Sequence, residues 1–175
     1  MTSKQLTVTT GLDGEKVTIP TGLFIDNQFV PSIDGSILEV QNASTRALIG
    51  SISAATAKDV DLAVASSLRA YRKGWRTVTA AKRRQLMLRL ADLIERDLGI
   101  FAILEGSNVG ALRSTTTNML GPLAVEWLRY FAGWTDKIDG RSAAWDSGDA
   151  RGGFAYTRRE PYGVTGAIVP WNTPL

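Results

Sequence analysis

The spacing of apolar residues changes character several times along the chain. Residues 1–20 are polar with scattered Leu and Val, which predicts a loosely held tail. From Leu23 to Val30 apolar positions flank Asp26 and Asn27, a turn-forming pair, and predict a short hairpin. Residues 37–40 and 48–52 predict a second strand pair around the turn-rich stretch from Asn42 to Thr45. The period then becomes helical. Thr56 and Asp59 have the spacing of a capping box, with Asp in place of the usual Glu. Val60, Ala63, Val64, Ser67, Leu68 and Tyr71 form one stripe, and Gly74 stops it. A second helix opens near Thr79 and predicts a buried face of Leu86, Met87, Leu90, Leu93, Ile94 and Leu98. A short helix spans residues 100–105 up to Gly106. A third long helix runs from about Ser114 to Trp134, and Pro122 must either begin it or kink it.

Beyond that helix, Gly, Ser, Asp and Ala dominate residues 139–153, and Phe154 to Arg159 alternates like a strand. Residues 141–159 therefore predict a projecting β-hairpin. Gly163 to Val169 is a near-continuous apolar run, the pattern of a strand buried in a parallel sheet, and it leads into the polar turn Pro170-Trp171-Asn172. Such a strand needs neighbours and a crossover that these 175 residues do not supply after it, so the pattern predicts a truncated enzyme.

Composition narrows the chemistry. An apolar fraction of 44% and a charged fraction of 21% are those of a globular protein. The chain has no Cys and no His, which removes thiolate and imidazole metal sites and any Ser-His-Asp arrangement. No apolar run approaches the ~18 residues of a membrane-spanning helix. The first residues lack the apolar centre of a signal peptide, and no Arg precedes Arg46, so a cytoplasmic location is expected. Arg69, Arg72, Lys73, Arg76, Lys82, Arg83 and Arg84 form a basic cluster with Tyr71 and Trp75 nearby. A nucleic-acid patch is conceivable there, but a solvated helix face explains the cluster better, and no nucleic-acid partner is expected.

Asn172 is the most informative polar residue. A doubly wound sheet delivers ligand-binding groups from the carboxyl ends of its strands. An amide placed there is a strong uncharged donor for an oxyanion. The residues alone also fit a plain turn through Asn172, Thr173 and Pro174.

The segment from Arg159 to Leu175 resembles the aldehyde dehydrogenase superfamily pattern around its Pro-Trp-Asn motif. The resemblance continues upstream in order and spacing from about residue 21. Leu23 to Val30 is similar to the family's N-terminal hairpin. Gly74-Trp75-Arg76 and Leu90 to Glu95 resemble the helices that follow, and Leu128 to Trp134 with Lys137 to Gly140 resembles the next helix and its exit.

The resemblance implies an α/β fold: the N-terminal part of the aldehyde dehydrogenase fold. It comprises the N-terminal part of the cofactor-binding domain (residues 21–138, strands and then a helical layer), a β-hairpin arm (139–159) and the first strand of a doubly wound, cofactor-binding sheet (160–175), incomplete. It implies NAD- or NADP-dependent oxidation of an aldehyde to an acid through a Cys thiohemiacetal. Asn172 matches the family's oxyanion-stabilising Asn, and Ile168, Val169, Pro170 and Trp171 match the stretch lining the cofactor cleft. Thr173 departs from the Phe of many relatives, and Asn108 to Ala111 lacks a basic residue expected after the Gly. The implied partners are the aldehyde and further copies of the chain, joined through the 141–159 hairpin. The nucleophilic Cys, the general-base Glu and the Gly-rich cofactor turn lie downstream of the motif in the family, so this chain alone is expected to be inactive and poorly soluble. A non-catalytic module that pairs with full-length subunits is the alternative reading.

Overall fold

A computed structural model of the chain describes residues 5–9, 14, 16–145, 148 and 153–175. Six strands come first, as three antiparallel hairpins: β1 (Gln5–Thr9) with β2 (Lys16–Pro20), β3 (Leu23–Ile25) with β4 (Gln28–Val30), and β5 (Ile37–Gln41) with β6 (Leu48–Ser53). Helices α1 (Ala57–Lys73), α2 (Ala80–Arg96) and α3 (Leu98–Asn108) follow. A helical turn, α4 (Arg113–Thr115), runs through a π-helical turn (Thr116–Leu120) into α5 (Gly121–Ala132), and β7 (Ser142–Trp145) pairs with β8 (Gly153–Tyr156).

Most elements form where their sequence predicts. Asp26 and Asn27 take left-handed conformations (φ 53° and 62°), the backbone of a two-residue hairpin turn whose twist matches its strands. The Asn42 side chain accepts from the Ser44 and Thr45 N–H groups and closes the β5–β6 turn. Pro122 stands in the first turn of α5, where its missing N–H costs nothing, and the π turn absorbs the change of register before it.

Four expectations need correction. While the rest of the tail expected over residues 1–20 lies, except for Gly14, outside the described residues, residues 5–9 and 16–20 are not a loose tail. They form β1–β2, and Val8 and Val17 join Ile103 of α3 in the core, with Leu6, Ile19, Ile49 and Leu104 packed around them. Period-2 alternation (Leu6, Val8; Val17, Ile19) places these side chains on one face of the hairpin. Secondly, α1 is turned relative to its apolar stripe. Val60 and Val64 are exposed, whereas Asp59 and Ser66 are buried. Similarly, Leu86 and Leu90 of α2 face solvent and Ala91 is its buried residue. Thirdly, α3 continues through Gly106 to Asn108. Fourthly, residues 160–175 lie outside any strand. A parallel strand exists only through its ladder, and none of the described residues offers one there.

The orientation of α1 has a polar cause. Asp59 closes the capping box by accepting from the Thr56 N–H (2.8 Å) and hydroxyl (2.7 Å). The same carboxylate reaches back to the loop after β4, accepting from the Ser32 hydroxyl (2.9 Å) and the Ile33 N–H (3.0 Å). Two turns further along the same face, the Ser66 hydroxyl donates to Asp26 in the β3–β4 turn at 3.0 Å. These donors hold the Asp59 carboxyl at about 2, below its ordinary 3.8, with the Thr56 N–H first among them. Glu105 is the opposite case. It is buried in α3, its Oε2 has no hydrogen-bond partner, and desolvation pushes its carboxyl above the ordinary range.

The two carboxyls give stability changes of opposite sign. A depressed folded pKa contributes stability that is complete above 3.8 and lost as pH falls through about 2. Asp59→Asn should therefore lower the melting temperature at neutral pH, and the gap from wild type should close in that acid window. A raised folded pKa penalises the ionised form, so wild type loses stability as pH rises from 4.5 through the elevated Glu105 value. Glu105→Gln should melt higher than wild type at neutral pH and lose that advantage in acid. Thermal melts across pH decide both. Gly121 is a packing test, because a β-carbon there would meet Leu98 and sit 2.9 Å from the Thr116 carbonyl. Gly121→Ala should cost about 1–3 kcal/mol in chemical denaturation.

Candidate functional site

The predicted site residues sit together at the carboxyl side of the chain, beyond the β7–β8 arm. Gly163 opens this segment with φ +99°, a conformation that favours glycine. A β-carbon at Gly163 would lie 3.5 Å from Cε1 of Tyr71, so the segment crosses the edge of the Tyr71 ring near the end of α1. The stripe residue Tyr71, half-buried, thus packs against the segment that carries Asn172.

From there the chain presents its side chains outward. Ile168 and Trp171 are almost wholly exposed, and Val169 and Pro170 are exposed as well. Asn172 lies in an exposed turn, and among the described residues no hydrogen bond engages its amide. The structure therefore brings Ile168, Val169, Pro170, Trp171 and Asn172 into one short apolar strip ending in a free carboxamide. The segment carries no Asp, Glu, Lys or Arg between Glu160 and Leu175.

Concavities lie elsewhere. A hollow of about 660 Å³ separates the β3–β4 and β5–β6 hairpins and is lined by Phe29, Pro31, Ile37 and Ser51, among others. Among the described residues no group of three or more Asp or Glu side chains could hold a metal ion. Among the described residues no helix is long and apolar enough to cross a membrane.

The basic cluster is divided among local partners. Arg69 pairs with Asp26 at 3.6 Å, Arg84 with Asp136, and Arg83 donates to the Val78 carbonyl. Arg72 and Lys73 lie in the last turn of α1, where cations complement the helix dipole. The sequence reading passed over two buried polar groups, Glu105 and the Thr116 hydroxyl in the π turn, both with an unpartnered oxygen. The signal for Glu105 was present, since an acid directly after Ile103 and Leu104 on a largely apolar helix is out of pattern.

The model of the aldehyde dehydrogenase family matches residues 29–175. An aldehyde dehydrogenase of Alternaria alternata is 44% identical over 158 residues, covering 89% of this chain and 31% of that protein. The NAD+ complex of the Bacillus cereus aldehyde dehydrogenase superimposes with a TM-score of 0.80 at 35% identity, covering 87% of this chain and 30% of that one. PnpE in complex with nicotinamide adenine dinucleotide gives 0.69 at 38% identity, over 73% of this chain and 26% of that one. The chain thus spans about 30% of the length of the relatives it matches, and its mixed helix-and-strand architecture corresponds to the N-terminal part of their fold. On the family match and these superpositions, the chain belongs to the aldehyde dehydrogenase family.

Proposed function

We propose that this chain supplies the N-terminal part of an NAD-dependent aldehyde dehydrogenase, an enzyme that oxidises an aldehyde to a carboxylic acid, with Asn172 as its oxyanion donor. The observation that carries the reading is the family match over residues 29–175, which takes in Pro170-Trp171-Asn172, in a chain whose Asn172 carboxamide is exposed and unengaged. A neutral amide suits the task. It donates to oxygen as negative charge develops on the attacked carbonyl, and it brings no counter-charge to the resting site.

The strip before it suits one face of a nucleotide. Ile168, Val169 and Pro170 present exposed apolar surface, and the Trp171 indole offers a flat face for a ring. When bound, NAD supplies the hydride acceptor. Ile168 to Trp171 would flank it and exclude water from that side. The absence of any cation from Pro161 to Leu175 means that pyrophosphate charge must be met by other residues. NAD is favoured as the cofactor because the Bacillus cereus enzyme and PnpE are both solved with it.

The 175 residues contain no Cys, so the family's thiolate has to come from outside them, and the chain alone is inactive in this reading. The β7–β8 hairpin is the proposed contact between copies, since it presents Phe154 and Tyr156 side by side and exposed. A cytosolic location is favoured by the likeness, at 43% identity, to the protein of Macroscelides proboscideus named "Aldehyde dehydrogenase, cytosolic 1".

The test is a chimera in which this chain replaces the matching segment of the Bacillus cereus enzyme. NADH formation from aldehydes is the expected result, with none from the 175-residue chain by itself. Asn172→Ala in the chimera should lower kcat by about 10²–10³ while KM changes little. Turnover by the isolated chain, or a folded chimera indifferent to Asn172→Ala, would overturn the assignment.

A further inference from the structure

Local partners answer only part of the basic cluster. Residues 62–91 carry eight Lys and Arg and no Asp or Glu, whereas the whole chain is only +3. Arg69 and Arg84 reach acids on other elements, Asp26 and Asp136. Lys82 and Arg83 bond neutral oxygens only, those of the Gln85 amide and the Val78 carbonyl. Arg72, Lys73 and Arg76 are exposed and have no acidic partner among the described residues. Five uncompensated positive charges therefore lie within twelve residues, from the last turn of α1 to the first turn of α2. That first turn holds no acid, so Lys82 and Arg83 stand against the helix dipole.

Exposed apolar side chains are interleaved with these cations. Trp75, 47% exposed, opens the 3₁₀ turn (Trp75–Thr77) that joins α1 to α2, between Lys73 and Arg76 in the chain. On α2, the exposed Leu86 lies between Lys82 and Arg89 at helical spacing (i, i+4, i+7). These three side chains line one hollow of about 370 Å³.

We infer that this corner is a peripheral docking surface for an anionic lipid bilayer, with the cations at the headgroups and the Trp75 indole at their boundary with the acyl chains. Charge complementarity selects the occupant. Burial against an uncharged protein layer would strand the cations without partners, which is costly. A second copy meeting it patch to patch would set like charges together. Single-stranded nucleic acid would need several aromatic faces for its bases, and Trp75 is the only exposed ring among residues 62–91. Leu86 has no use against phosphate either. An anionic bilayer uses both parts, because basic segments gather at its negative surface and tryptophan favours its headgroup boundary. Attachment of this kind requires no spanning helix.

The test is flotation of the full 175-residue chain with vesicles in a density gradient, where bound chain rises and aggregate sinks. Vesicles of phosphatidylcholine with about 30% phosphatidylserine should carry the chain upward at low salt. Phosphatidylcholine alone should not, and added salt should release the chain. Arg72→Gln with Lys73→Gln and Arg76→Gln removes three cations, each worth about fivefold, and should weaken binding on the order of a hundredfold. Trp75→Ala should weaken it several-fold and leave its salt dependence unchanged. All these side chains are exposed, and circular dichroism should show both variants folded as wild type. Should the chain sink in every gradient, the chimera with the Bacillus cereus enzyme is floated instead and read by the same criteria. Indifference to lipid charge, no flotation of the chimera, flotation unaltered by the triple variant, or tighter binding to a single-stranded oligonucleotide or to polyglutamate than to the vesicles would each overturn the inference.

Discussion

The arrangement of this chain depends on one buried carboxylate. Asp59 accepts four hydrogen bonds, two from its own helix cap and two from the loop that ends the second hairpin. A charge so enclosed is tolerable only when its lone pairs are met, and here each oxygen is met by donors already fixed in place. The capping box sets where α1 begins, and the bonds to Ser32 and Ile33 set where that beginning lies against the strands. Ser66, two turns on, meets the Asp26 turn and fixes the direction of the helix. Two polar anchors therefore define α1 as a rigid line, and Tyr71 at its far end becomes a fixed point.

That fixed point connects the fold to the proposed site. The segment bearing Asn172 crosses Tyr71 at Gly163, where the backbone adopts a conformation open to glycine and the ring approaches within van der Waals contact of the missing β-carbon. The carboxamide itself lies nine residues further on, exposed and unbonded among the described residues, so α1 and Tyr71 fix where its segment starts and not where it ends. An oxyanion donor is useful in proportion to how well it is held before the reaction starts. The chain contributes the near end of that support.

Local signals were legible in the sequence and tertiary ones were not. The Asp26-Asn27 turn, the Thr56/Asp59 cap, the stop at Gly74 and the place of Pro122 are decided within a few residues, and each was readable. The face of α1 was misread because counting apolar positions assumes that burial follows hydrophobicity. Here Asp59 and Ser66 outrank Val60 and Val64, since bonds to a distant hairpin choose the face. The β1–β2 hairpin was missed because its apolar positions are few and lie among threonines, and only Ile103, far along the chain, makes a core of them. The strand expected over Gly163 to Val169 has the right composition and no partner, and pairing is what makes a strand. The proposed site residues were picked out through the Pro-Trp-Asn pattern. Their neighbour Tyr71 was read only as part of a helix stripe, since nothing local announces that a glycine ninety-two positions later will lie against its ring.

The shape of the core explains why so much apolar surface stays open. Its buried members Val8, Val17 and Ile103 lie where the first hairpin meets α3, and Ala91, Val125 and Ala132 are buried on α2 and α5. Small residues at Gly121, Ala91 and Ala132 let helices approach closely but contribute little area of their own. The large residues Trp127, Tyr130 and Phe131 are on the opposite side of α5, and Trp134 follows in the turn after it. A sequence selected for this chain as a closed unit would place bulk inside and small residues outside. The inversion leaves α5 close-packed on α2 by its small face and open on its aromatic one. The same logic applies to Ile168 and Trp171, whose exposure is costly in water and useful only against a ligand or another layer.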